Sequence, residues 1–437
     1  MTGTITRSWR RYRSVPLVYR IGIAFVLGSA LGLVVGGRAT ALEPIGELFV
    51  RLLEMIVVPI VVFTLLLGAR RLTPSKLGRI GGQVVGLYLL TTAVAIVIGL
   101  GVANLVQPGV GLELAGSAGE TEQAPSMVDV LLGVVPDNPL GAMAEGNVLP
   151  TIFFTVVFGI ALAMLSEEFE PGSAVHDGVE AIFDVAEAGS EAMFKIVWGV
   201  MEFGVLGVFA LMATTFGEAG VDAIVPYAKL ALALTLAVSI HIGLVYLVVI
   251  QRGLMGESPL SFLSGAKDAM VTALSISSSS GTLPVSMSDA DENFGVAEEV
   301  YSFSLPLGAT INMDGTAMYL GIVAVFAANV VGQSLTIAEQ FAVLATALLA
   351  SVGTAGVPSA GLIMMTIVLT QVGLPLEIVG MIAGIDPLLD RMRTMNNVTG
   401  DLAVTTLVAK WNGAIDYAGT VWSDAPTGSV VDGAVDD

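Results

Sequence analysis

Two apolar stretches in the C-terminal half of this chain are each cut by a cluster of Ser, Gly and Pro. The first cut is Ser277-Ser278-Ser279-Ser280-Gly281-Thr282-Leu283-Pro284; the second runs from Ser351-Val352-Gly353-Thr354 through Gly356 and Pro358 to Gly361. Each has Ser, then Gly-Thr, then Pro, between apolar arms shorter than the roughly 20 residues a membrane helix needs. Irregular backbone cannot face hydrocarbon, because its N–H and C=O groups would stay unpaired. The pattern predicts two re-entrant hairpins shielded by protein, the alternative being two kinked helices with satisfied hydroxyls. Each is followed by a polar-bearing span, so hairpin plus helix occurs twice, which points to a binding site between inverted repeats.

The rest of the chain reads as conventional membrane helix. Of 437 residues, 54% are hydrophobic and 13% charged, and repeated apolar runs reach spanning length. Spans are expected near Val15 to Gly36, Glu43 to Ala69 and Ile80 to Val106. A fourth, interrupted at Pro136, Pro139 and Pro150, covers Met127 to Leu165; a fifth lies near Glu191 to Phe216 and a sixth near Ile224 to Ile250. With the two polar-bearing spans this makes an all-α polytopic protein of eight transmembrane spans plus two hairpins. Arg7, Arg10, Arg11, Arg13 and Arg20 precede the first span, and Arg70, Arg71, Lys76 and Arg79 follow the second. By the positive-inside rule both groups, and so the N-terminus, are cytoplasmic in a multi-pass cell-membrane protein. Ala39-Thr40-Ala41 mimics a signal-peptidase site, but Arg38 and the membrane-bound chain beyond it argue against cleavage.

The net charge of −20 is carried mostly by expected loops and tails: Glu120 to Asp129, Glu167 to Glu180, Asp289 to Glu299 and Asp416 to Asp437. Excess carboxylate with only five lysines points to a surface solvated at high salt and a halophilic source, an acidic outer face being the alternative. No basic groove is present for nucleic acid. The last stretch, Asp416 to Asp437, reads as disordered solvating tail.

Function is expected on the final span. Asp386, Asp390, Arg393, Thr394, Asn397 and Asp401 are spaced by threes and fours and share one helix face, and charges inside a membrane helix mark a substrate or ion path. Arg393 offers a planar fork for a carboxylate; Asp390, one turn earlier, can accept an ammonium group, unless the two form a plain intrahelical pair. Exposed N–H groups at a Ser-rich tip can hold a second carboxylate. Two anion sites and one cation site describe an acidic amino acid. Asp314, Asp386, Asp390 and Asp401 outnumber Arg391 and Arg393, an imbalance that bound alkali cations or protonated aspartates would settle. There is no cysteine, and His176 and His241 are expected far from these motifs, which disfavours a transition-metal site. With no general base beside the serine run, an enzyme is not expected.

These motifs resemble the dicarboxylate/amino acid:cation symporter family, which contains the glutamate transporters of animals and the aspartate transporters of archaea. The resemblance runs from Arg51-Leu52-Leu53 and Val58-Pro59-Ile60, through Gly207-Val208-Phe209-Ala210-Leu211 and Asn312-Met313-Asp314-Gly315-Thr316, to Asn397-Val398-Thr399-Gly400-Asp401. It implies a homotrimer in the lipid membrane, with spans one, two, four and five as a fixed scaffold. The third and sixth spans, both hairpins and the last two spans would form a transport domain moving as an elevator, with the second hairpin as extracellular gate. The corresponding segments are 1–79 (cytoplasmic N-terminus, spans one and two), 80–107 (span three), 108–223 (acidic loop, spans four and five), 224–411 (the remaining transport domain) and 412–437 (tail).

The resemblance also implies residue roles. Substrate would meet backbone at Ser279, Val357 and Gly361. Thr316 and Arg393 would hold its side-chain carboxylate, Asp390 and Thr394 its amino group, and Asn397 its main-chain carboxylate. Sodium would sit at Gly308, Asn312, Asn397 and Asp401; at Thr310, Ser351, Val352 and Thr354; and at Tyr88, Thr91, Thr92, Asn312 and Asp314. In this family neutral amino acid carriers lack the arginine, and carriers of simple dicarboxylates lack the amino-binding aspartate. The presence of both predicts a sodium-coupled symporter of L-aspartate or L-glutamate; a proton-coupled acidic amino acid or C4-dicarboxylate symporter is the alternative. Ser277 in the tip with Arg391 after Asp390 is the animal arrangement, whereas Leu320 after Tyr319 replaces the titratable glutamate that animal members carry there. Potassium countertransport is left open.

Overall fold

The computed structural model describes residues 12, 15–70, 74–112, 132–351 and 360–423. It is helical throughout, and among the described residues the β pairing is a single bridge, Val296 to Ile415. The first two helices, α1 (Leu17–Val35) and α2 (Glu43–Ala69), are joined by a 3-10 turn and followed by α3 (Pro74–Val106). Next come α4 (Pro139–Glu145), α5 (Val148–Glu168), α6 (Ala174–Ala219) and α7 (Ile224–Ile240), which continues as π-helix over His241–Met255. Among the described residues, five stretches are long and apolar enough to cross a membrane, namely Tyr19–Ala69, Gly78–Val106, Leu149–Glu168, Ala174–Met255 and Glu298–Val330.

The fifth expected span is longer than hydropathy indicates. Glu167 to Glu180 counts as acidic loop by charge, yet α6 already begins at Ala174, capped by the Ser173 side chain on the His176 N–H. Val179, Phe183, Ala186, Ser190 and Met193 are buried at helical spacing, and the acids lie between them. Glu180 pairs with Arg70, whose guanidinium also lies 4.8 Å from the Phe183 ring. Arg20 pairs with Glu202 through both oxygens, at 2.5 and 2.8 Å, tying α1 to α6.

The first Ser/Gly/Pro cluster breaks its helix, and two described helices flank the second. At the first, α8 (Pro259–Ile276) ends on Ser277 in the left-handed conformation (φ 52°, ψ 39°). The extended Ser278 then caps α9 (Ser279–Ser288) by accepting from the Gly281 N–H, and α8 and α9 pack on one another. At the second, α12 (Ile337–Ser351) and α13 (Ala360–Gln371) pack side by side; Val352, Thr354 and Val357 lie outside the described residues. The span after the first pair is itself interrupted: α10 (Glu298–Ile311) stops at Asn312 and Met313, which leave helical backbone angles, and α11 begins at Asp314 and runs to Val330. After α14 (Glu377–Ala383) the chain enters α15 (Asp386–Trp411), whose charges place it below the apolarity of a simple span.

Packing sorts the helices into two groups. One contains α1, α2, α5 and α6; the other is built around α15, with α3, α7, α8, α10 and α11 against it. They meet mainly where α13 and α14 lie on α2 and where α14 lies on α6. Side chains of the first group rest there on glycine of the second: a Cβ on Gly380 would fall 2.0 Å from Leu211 Cδ1, and one on Gly384 would fall 1.9 Å from Phe25 Cδ2.

The first part of the acidic tail is folded rather than free. Ala297 N–H donates to Ala414 O and Asp416 N–H to Gly295 O, while the Val421 N–H reaches Asn293 O. Trp422 packs 5.0 Å from the Phe294 ring, which stacks 5.3 Å from Phe262. Apolar residues set among the tail's aspartates account for the difference, because they bury against the base of the α8–α9 pair.

Candidate functional site

Every member of the polar stripe on α15 is buried, and the helix carries it past two distinct polar layers. Arg393 anchors the first. Its side chain is fully buried, with Nη1 2.8 Å from Asp386 Oδ1 and Nη2 2.6 Å from Asp390 Oδ1. The guanidinium lies 4.1 Å from the Tyr319 ring, and the Tyr319 hydroxyl donates to the same Asp386 oxygen at 3.2 Å. Ion pairing and the ring face together hold a charge that would otherwise be costly in this interior. The Thr394 hydroxyl donates to the Asp390 carbonyl. Gly361 places its backbone against the guanidinium, where a Cβ would fall 2.8 Å from Nη1. Asp386, part of the stripe but given no ligand role from sequence, thus shares Arg393 with Asp390. Its Oδ2 and the Arg393 Nε lack hydrogen-bond partners among the described residues.

Arg391, on the other side of α15, reaches the tip of the α8–α9 pair. Its Nη1 donates to the carbonyls of Leu274 (2.9 Å) and Ser275 (3.3 Å), just before the left-handed Ser277. This is favourable capping of a helix C-terminus. Ser279 is buried at the first position of α9, where backbone N–H groups have no intrahelical acceptor.

The second layer is assembled at the break between α10 and α11. Asp314 accepts from Thr92 Oγ1 and, at 2.6 Å, from the Tyr246 hydroxyl. Asp401 Oδ1 accepts from Asn312 Nδ2 at 2.9 Å, and the same amide reaches Asn397 O at 3.3 Å. Thr91 Oγ1 lies 3.4 Å from Asn312 Oδ1 and 3.1 Å from Tyr88 O. Gly308 permits close approach, since a Cβ there would fall 2.4 Å from Asp401 Oδ1 and 2.6 Å from the Tyr88 hydroxyl. Between the layers Asn397 accepts from the Gly315 N–H at 2.7 Å, with its Nδ2 3.5 Å from Thr316 Oγ1.

The structure therefore gathers Gly308, Asn312, Asn397 and Asp401, and likewise Tyr88, Thr91, Thr92, Asn312 and Asp314. Thr316, Gly361, Asp390, Arg393, Thr394 and Asn397 line the step from one layer to the next. Of the remaining expected set, the hydroxyls of Thr310 and Ser351 each turn back to a carbonyl of their own helix, Leu307 and Leu348; Val352 and Thr354 lie outside the described residues.

One expectation is corrected. His241, distant from the motifs in sequence, stands inside the second layer: its Nε2 is 3.3 Å from Thr91 O and 3.9 Å from Asp314 Oδ2, and its Nδ1 is 3.3 Å from Asn396 Oδ1. Folding of α7 alongside α3 and α15 closes the gap of more than 70 residues to Asp314. A histidine in an apolar span is itself the signal, because burying a titratable ring there is expensive.

Comparison with known proteins adds the ancestry of this arrangement. Residues 17–411 match the model of the sodium:dicarboxylate symporter family. The chain belongs to that family. A proton/sodium-glutamate symport protein of Geobacillus stearothermophilus is 33% identical over 92% of this chain and 96% of its own length. A proton/glutamate-aspartate symporter of Escherichia coli is 35% identical over 92% and 94%, and a C4-dicarboxylate transport protein of Bacillus subtilis is 30% identical over 93% and 96%. Membership in the family, together with the apolar spans, makes the chain a multi-pass membrane transporter rather than an enzyme.

Proposed function

We propose that this member of the symporter family is a sodium-coupled carrier of L-aspartate or L-glutamate. The observation that carries the reading is the difference in charge between its two polar layers. Around Arg393 two carboxylates share one guanidinium, so an incoming zwitterion with a second carboxylate can exchange partners. Its own carboxylate takes Arg393 while its ammonium group takes the released Asp390. A simple C4-dicarboxylate, as handled by the named Bacillus subtilis relative, would leave Asp390 uncompensated.

The second layer calls for cations. Both oxygens of Asp314 accept from hydroxyls, as those of an ionised carboxylate do, and Asp401 Oδ1 accepts from an amide. Neither is paired with Lys or Arg among the described residues. A buried negative charge without a counter-ion is costly, and hydroxyl, amide and carboxylate oxygens suit an alkali ion. In this reading sodium enters as co-substrate at Gly308, Asn312, Asn397 and Asp401 and at Tyr88, Thr91, Thr92, Asn312 and Asp314, with a further position at Thr310, Ser351, Val352 and Thr354.

The same reading takes α1, α2, α5 and α6 as a scaffold that assembles as a homotrimer, with a cytoplasmic N-terminus. The group around α15 is the transport domain and moves as an elevator; the α8–α9 and α12–α13 pairs are re-entrant hairpins, the second being the extracellular gate. Coupling requires the gate to close only on the loaded site. The test is radiolabelled L-aspartate, L-glutamate and succinate uptake into proteoliposomes under an inward sodium gradient. Concentrative uptake of the amino acids only with sodium supports the proposal. Uptake driven by a pH gradient alone, or succinate taken up as well as aspartate, overturns the ion or the substrate assignment respectively.

A further inference from the structure

His241 begins the π-helical stretch of α7, and Tyr246 follows five residues later. In an α-helix residues five apart point to different faces, whereas wider π winding, with its i to i+5 hydrogen bonds, brings them together. Here the two rings meet edge to face at 4.6 Å. Tyr246 then donates to Asp314 Oδ2, and His241 sits between the Thr91 carbonyl and the Asn396 side chain. The π winding thus aims two side chains at one cluster drawn from α3, α11 and α15.

The hydrogen-bond inventory determines what His241 does there. A carbonyl only accepts, so the contact to Thr91 O requires a proton on Nε2. In a neutral ring Nδ1 is then an acceptor and needs a donor. Asn396 faces it with its amide, whose Nδ2 has no hydrogen-bond partner among the described residues. Turning that amide over, which exchanges two atoms of nearly equal size, sets Nδ2 against Nδ1 and gives the ring nitrogen its donor. The result is a relay: Asn396 Nδ2–H donates to His241 Nδ1, and His241 Nε2–H donates to Thr91 O.

We propose that His241, oriented by Asn396, is a positioning residue for the cation layer. It holds the Thr91 backbone so that the Thr91 and Thr92 hydroxyls face Asn312 and Asp314, and it is not itself a ligand. The proposal rests on the sodium reading given above. Residues that orient ligands commonly change metal affinity by about 10- to 100-fold when removed.

The test uses full-length protein in proteoliposomes, comparing His241→Phe, which has no donor, with His241→Gln, whose amide can still donate to Thr91 O. His241→Phe is expected to raise the half-saturating sodium concentration about tenfold, with the aspartate KM at saturating sodium changed less than about twofold. His241→Gln should recover most of the sodium affinity. Equal loss in both variants, or a change confined to the aspartate KM, overturns the proposal. A second readout needs no transport. The chain has two histidines, so ¹⁵N-histidine NMR on a His176→Asn background reports His241 alone. A ring protonated on Nε2 only is expected, and protonation on Nδ1 overturns the relay. If uptake by the parent protein ignores sodium, the sodium reading fails, and this tautomer signal decides the His241 assignment by itself.

Discussion

The two polar layers on α15 lie within four turns of one another and handle charge in opposite ways. Around Arg393 one cation, two carboxylates and an aromatic face meet with short contacts, so the layer carries its own base and one negative charge in excess. Around Asp314 and Asp401 no Lys or Arg is paired among the described residues; the partners are hydroxyls and an amide, with the His241 ring 3.9 Å from Asp314. A site that holds its own base can release a carboxylate on binding. A site with unmatched carboxylates asks for a cation from outside. In the proposed reading the first layer selects substrate and the second couples the ion, so each should fail separately.

The largest effect is expected from Arg393→Cys. It leaves Asp386 and Asp390 buried without their base, a loss of about 3–5 kcal/mol, so aspartate uptake should fall at least about a hundredfold. Sodium binding, measured by calorimetry on the purified variant, should survive; normal aspartate uptake would falsify the substrate assignment. Asp401→Asn attacks the other layer. Half-saturating sodium should rise about a hundredfold, while the aspartate KM at saturating sodium changes far less, and equal shifts in both would merge the two layers into one.

Tyr319→Leu tests the aromatic support of Arg393. Loss of a desolvated cation–π contact is worth about 2 kcal/mol, so the aspartate KM should increase about thirtyfold with unchanged sodium dependence. The smallest change is expected from Arg391→Met. Removing the bonds to the Leu274 and Ser275 carbonyls costs about 1 kcal/mol, which should appear as about a fivefold rise in aspartate KM. A larger effect than that of Tyr319→Leu would make Arg391, not Arg393, the main anchor of the first layer.

Much of this arrangement is readable without coordinates because membrane burial leaves few ways to use a charge. The stripe from Asp386 to Asp401 is visible from spacing alone, and the first Ser/Gly/Pro cluster marks the helix break at Ser277. Two kinds of feature are hidden. Helix winding is one: a π turn has no signature in hydropathy, so the juxtaposition of His241 with Tyr246 and the approach of both to Asp314 appear only in three dimensions. Amphipathic helix beyond the apolar span is the other. The start of α6 reads as acidic loop until the stripe of Val179, Phe183 and Ala186 is counted at helical period. The partnership of Asp386 with Arg393 falls between these cases, since a step of seven keeps the two on one face but does not say which carboxylate the guanidinium will take.

The glycine contacts between the two helix groups have a mechanical meaning. Leu211 sits over Gly380 and Phe25 over Gly384, with no room for even a methyl group. If the groups slide past one another during transport, these positions are seats that a side chain leaves and re-enters on every cycle. Adding one carbon at Gly384 would then act as a wedge, obstructing this parking position while leaving the ligand-binding chemistry on α15 intact. The protein would be halted at another stop along its track.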